Sequence, residues 1–83
     1  METKDIRPRN EKGQAHGCQE TYFANGQLSY KENYVNGKPH GYQESYWDNG
    51  NIHYKGNYIN GKIIGLWEWY HHDGELKLQI FFA

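Results

Sequence analysis

The sequence predicts an all-β chain: a single-layer antiparallel meander of about six strands, built from three 24-residue hairpin repeats. Two observations carry this. The stretch Gly37–Tyr58 overlies its neighbours at a constant offset of 24 residues, with no insertion or deletion. Toward the N-terminus Gly13, His16, Gly17, Gln19, Glu20, Tyr22, Asn25, Gly26, Tyr30, Lys31, Asn33 and Tyr34 fall on identical residues. Toward the C-terminus Gly61, Lys62, Gly65, Glu68, Tyr70 and Gly74 do the same. A fixed period in this range marks units that bury their faces against one another. The second observation is the punctuation: Asn-Gly or Asp-Gly separates short alternating runs throughout, the strongest local hairpin signal, because these residues take φ > 0 cheaply.

Taken in order, residues 1–12 are polar, carry charges of both signs and include Pro8, and they predict a flexible N-terminal segment. The repeats occupy 13–36, 37–60 and 61–83. Each holds a first strand (Cys18–Phe23, Tyr42–Trp47, Leu66–His71) and a second (Gln27–Tyr34, Asn51–Tyr58, Glu75–Phe82). A three-residue loop ending in a left-handed Gly pairs Tyr22 with Leu28, Tyr46 with Ile52 and Tyr70 with Leu76. The same loop at the joining turns predicts Tyr30 opposite Tyr42 and Tyr54 opposite Leu66. One face then carries tyrosine and aliphatic residues, and the other carries Gln19, Thr21, Ser29, Lys31, Gln43, Ser45, His53 and Lys55 as a polar face.

Composition narrows the function. The apolar share is 36% but aromatics reach 17%, so eight tyrosines and three tryptophans supply much of the buried area. Net charge is −1, and five lysines stand against seven acids from Gly13 onward, which disfavours nucleic acid and anionic membranes as partners. A single cysteine, Cys18, excludes an internal disulfide framework, and together with the lack of a long apolar run predicts a cytoplasmic protein.

The recurring glycine pair, the Tyr-aromatic pair, Asn-Gly, the aliphatic and Tyr-x-Asn-Gly-Lys resemble the MORN repeat (membrane occupation and recognition nexus), in the variant form of small bacterial antitoxin-like proteins. The resemblance spans Gly13 to Phe82. It implies an open, elongated sheet of stacked hairpins that serves in binding, scaffolding or toxin neutralisation. The strand-opening tryptophan of the family falls on Gln19 and Gln43, or on Cys18 and Tyr42, and only the third unit supplies it, as Trp67.

Chemistry-bearing residues resolve mostly into structural roles. His16 and His40 match across repeats, about two strand spacings or ~10 Å apart, too far to share one ion, so no metal and no cofactor is expected. They suit hydrogen bonding within the Gly-x-x-x-Gly loops. Glu20, Glu44 and Glu68 form a column suited to accepting hydrogen bonds from tyrosines or backbone. An acid–base pair needs two unlike environments in one cleft, so the chain is not expected to be an enzyme.

The third unit breaks the repeat. Trp67 and Trp69 stand where earlier units have Gln19, Thr21 and Gln43, Ser45, and Phe81 lies on the last strand. Tryptophan dominates interface hot spots, so the expected partner-binding residues are Trp67, Trp69, Phe81, Tyr70 and His71. The expected function is a non-enzymatic protein-binding module, antitoxin-like or otherwise inhibitory, contacting a toxin or defence protein. A homodimer through the C-terminal edge or the apolar sheet face is the other protein partner considered. The alternative is a repeat protein that binds nucleic acid or a lipid surface.

Overall fold

Six strands run in sequence order in one antiparallel sheet: β1 Gly17–Tyr22, β2 Leu28–Val35, β3 Lys38–Tyr46, β4 Ile52–Ile59, β5 Lys62–Tyr70 and β6 Leu76–Phe82. The computed structural model describes residues 5–83. The body is a slab of 41 × 41 × 9 Å, the thickness of one sheet with its side chains left to cover both faces.

Two kinds of turn alternate. Within each unit the turn is the predicted three-residue loop. The Phe23 N–H donates to Gln27 O (2.8 Å) and the Gly26 N–H to Phe23 O (2.9 Å), with Gly26 at φ 91°. Trp47/Gly50/Asn51 and His71/Gly74/Glu75 repeat this geometry. The predicted pairs Tyr22↔Leu28, Tyr46↔Ile52 and Tyr70↔Leu76 all form.

The joining turns are tighter than predicted. Val35 pairs with Lys38 and Ile59 with Lys62, so only Asn36-Gly37 and Asn60-Gly61 lie between strands. Both residues of each turn have positive φ, 49° and 84° in the first and 50° and 83° in the second. This is the two-residue geometry that Asn-Gly favours. The His16 ring Nδ1 accepts the Asn36 N–H, and the His40 Nδ1 accepts the Asn60 N–H, each at 3.1 Å. The matched histidines are structural, but they bond to the joining turn one repeat later instead of within their own Gly-x-x-x-Gly loops.

The shorter joining turn, a register shift beyond it (between Glu32 and Tyr34, and between Lys55 and Asn57) and a bulge after every intra-unit turn overturn the predicted faces. The register slips between Thr21 and Tyr22, leaving Ser29 without an opposite residue, and the same happens at His53 and Lys77. Tyr30 therefore lies opposite Thr21 and Ser45, and Tyr54 opposite Ser45 and Trp69, instead of Tyr42 and Leu66. One extra residue swaps a side chain to the other face.

The face predicted to be polar and solvated is in fact the packed one. Its column Gln19 (6% exposed), Gln43 (2%) and Trp67 (3%) is the most buried in the molecule, with Ser45 beside it. Lys31 and Lys55 lie on the opposite face, across from the glutamates of the Glu20, Glu44, Glu68 column. That column accepts from a tyrosine as expected at Glu20, where Tyr22 Oη donates (2.6 Å), whereas Glu68 accepts from the Gln79 side-chain amide (2.8 Å). Lys55 stands 3.7 Å from Glu68.

The segment predicted to be flexible is paired from Ile6 onward. Ile6 and Glu20 exchange two backbone hydrogen bonds at 2.8 Å, His16 donates to Pro8 O, and Arg9 bridges Ala15. These residues lie along the outer edge of β1. The first four residues of the predicted segment fall outside those described.

Candidate functional site

The tryptophan face is built by one device used three times. The Gln19 side-chain amide donates to Pro8 O and the Gln43 amide to Asn33 O, both at 2.9 Å, while the Trp67 indole donates to Asn57 O at 3.1 Å. Each side chain lies down over the preceding strand and satisfies one of its carbonyls. The N-terminal segment, through Pro8, provides for Gln19 the backbone that the second strands provide in the later units. An indole is bulkier than an amide, and Gly56 makes the room: a Cβ there would stand 2.1 Å from Trp67 Cδ2. Where Gln43 crosses instead, the matching residue is Glu32.

This settles the place of each residue predicted to bind a partner. Trp67 is interior: it is stacked on Tyr54 (6.0 Å between centroids), edge-on to Tyr58 (5.2 Å), and closed over by Trp69 (6.0 Å). As a surface anchor it is a mistaken expectation, because the indole replaces a buried Gln and not an exposed one. Trp69 shares its face, as two-residue spacing requires, and is half-buried. Phe81 is 75% exposed but lies across from Leu66 on the opposite face. Tyr70 is half-buried, and its side chain belongs to that opposite face, where Lys55 stands over the ring. His71 is exposed at the third turn. The five residues therefore split between two faces and do not form one patch.

Two features of the third unit do offer a surface. The first is the β6 edge. Leu78 and Ile80 (46% and 39% exposed) lie on the tryptophan face, and Leu76 and Phe81 on the other (48% and 75%), so this edge strand is apolar on both sides. The second is a cleft of about 290 Å³ where the second and third turns meet, walled by Trp47 and Trp69. Trp69, Tyr70 and His71 line it, so three of the five predicted residues do come together there. Its other members, Trp47, His53, His72, Lys77 and Leu78, were missed by sequence reasoning. Trp47 stacks on His53 at 3.8 Å and donates its indole N–H to Tyr70 O at 3.2 Å. Burial, with Lys77 nearby, lowers the His53 pKa and favours its neutral form.

The family model of the MORN repeat variant matches the chain three times, at residues 15–36, 39–60 and 63–83. The chain belongs to this family. The matches fall one to a hairpin unit, and they place the third unit's indole at the position held by Gln19 and Gln43 in the other MORN units of this sheet. Searches of curated proteins and of solved structures returned no match.

Among the described residues, no group of three or more His, Cys, Asp or Glu side chains is arranged to hold a metal ion. Cys18 is a free, half-buried thiol.

Proposed function

We propose that this MORN-repeat chain is a non-enzymatic protein-binding module that adds a strand of its partner to β6. The observation that supports the reading is the unequal treatment of the two sheet edges. The outer edge of β1 is paired by Ile6 to Arg9. Among the described residues, nothing pairs the outer edge of β6, which carries exposed apolar side chains on both faces and a single charge, Lys77, near its start. Soluble sheets ordinarily blunt such an edge with charge, proline or a covering segment. An unpaired, apolar edge is what strand addition uses: main-chain hydrogen bonds supply affinity, and alternating side chains supply specificity. The inhibitory role that the family resemblance implies is exercised, on this reading, by occupying a strand-forming segment of the target.

The test compares capture from cells of the native source by wild-type protein and by Phe81→Lys, which places a charge on the exposed edge at a residue on the face opposite the Gln19–Gln43–Trp67 column. A protein retained by the wild type and lost by Phe81→Lys, with the variant's melting curve intact, supports the reading. Equal capture by both refutes it.

A further inference from the structure

The cleft at the second and third turns has a twin between the first and second turns, and every residue lining it except Leu78 has its counterpart there at the 24-residue offset. Phe23 becomes Trp47 and Ser45 becomes Trp69, so a phenyl and a hydroxyl are replaced by two indole walls. Asp48 becomes His72 and His53 becomes Lys77, so a carboxylate and an imidazole are replaced by an imidazole and an ammonium. The same backbone frame thus holds a roomy, partly acidic hollow of about 550 Å³ in one place and a tighter, carboxylate-free, basic one of about 290 Å³ in the other.

The second cleft is also held rigid. Asn49 and Asn51 both donate to His72 O (2.8 and 3.0 Å), and His72 Nε2 lies 3.2 Å from Asp48, which lines the neighbouring cleft. The Trp47 indole is fixed by Tyr70 O. Among the described residues, Lys77 makes no ion pair.

We infer that this cleft is a binding site for a planar ring that carries an anionic group, an aryl phosphate or aryl carboxylate. The ring lies against Trp47 and Trp69, and the anion meets Lys77. Offset or edge-on packing of the ring on two indoles supplies the apolar part of the affinity. A charge-assisted hydrogen bond from the ammonium supplies the selectivity for an anion. The volume sits at the small end of ligand sites and suits a single ring, not a cofactor. This site draws Lys77 and Leu78 from β6 but does not use that strand's unpaired backbone edge, so failure of either reading leaves the other standing.

The experiment titrates the intact chain with phenyl phosphate, phenol and inorganic phosphate, following tryptophan fluorescence and indole N–H resonances. Saturable binding of phenyl phosphate is expected, with phenol and inorganic phosphate each about tenfold weaker or more. Lys77→Gln, at an exposed position that leaves the fold intact, is expected to bring phenyl phosphate down to the level of phenol. Trp69→Ser, which recreates the first cleft's residue, is expected to abolish the ring preference. A short peptide bearing the aryl phosphate separates the sources: tighter binding than free phenyl phosphate assigns the ligand to a polypeptide, and equal binding to a small molecule. No saturation by phenyl phosphate, equal binding of phenol and phenyl phosphate to the wild type, or an unchanged affinity in Lys77→Gln overturns the proposal.

Discussion

At the scale of single residues, the fold turns on the fit of Trp67 over Gly56. The indole occupies the space a side chain would need, so Gly56→Ala forces either the indole or β4 to move. Overpacking of this kind costs about 1–3 kcal/mol. The cost is conditional on the indole. In a Trp67→Gln background, which gives the third unit the side chain of the first two, the same Gly56→Ala change is expected to cost less than about 1 kcal/mol. Denaturant melts of the two single variants and the double variant form a cycle that reads this coupling. Strict additivity would mean that Trp67 does not lie where the account puts it. The same pair shows what the sequence could disclose. The period made Gln19, Gln43 and Trp67 visibly equivalent, but whether that position faced core or solvent depended on a bulge that periodicity alone does not reveal. Gly56 stands where Glu32 stands one repeat earlier, and that exchange was the available sign that Trp67 presses inward.

At the scale of elements, the intra-unit turns were legible because a left-handed Gly and a three-residue loop follow from one short motif. The joining turns use the same Asn-Gly pair in its two-residue form, and reading both turns as one type misplaced Tyr30, Tyr54 and every residue paired with them. The histidines mark the difference. A two-residue turn leaves the Asn60 N–H to be met by the His40 ring, and the third unit carries Ile64 at the matching place. His40→Ala is therefore expected to cost about 0.5–1.5 kcal/mol, the net worth of one hydrogen bond, while Ile64→Ala removes no side-chain hydrogen bond. Urea denaturation of His40→Ala measures it, and unchanged stability would remove the brace from the account. The N-terminal segment was illegible for another reason. Its pairing with β1 runs through backbone groups, with single bonds added by the Asp5 and Gln19 side chains, and it follows no repeating side-chain pattern, so its mixed charges and Pro8 looked like a lead-in.

At the scale of the whole molecule, a single sheet 9 Å thick leaves both faces and both edges to be accounted for. Neighbouring units cover the tryptophan face, tyrosine and glutamate side chains share the other, and the chain's own N-terminal segment pairs one edge. The C-terminal edge is treated differently, and this is where the broken symmetry of the third unit, plain in the sequence, acquires a physical meaning: the tryptophans reinforce the platform, and the strand beyond them carries the exposed apolar residues. The most direct test places a photo-crosslinking phenylalanine analogue at Phe81 on this edge, and separately at Ile6 on the paired edge, and irradiates the protein in its native cells. Adducts to a second polypeptide at position 81 and none at position 6 are the predicted result. Adducts at position 6 with none at position 81 would contradict it.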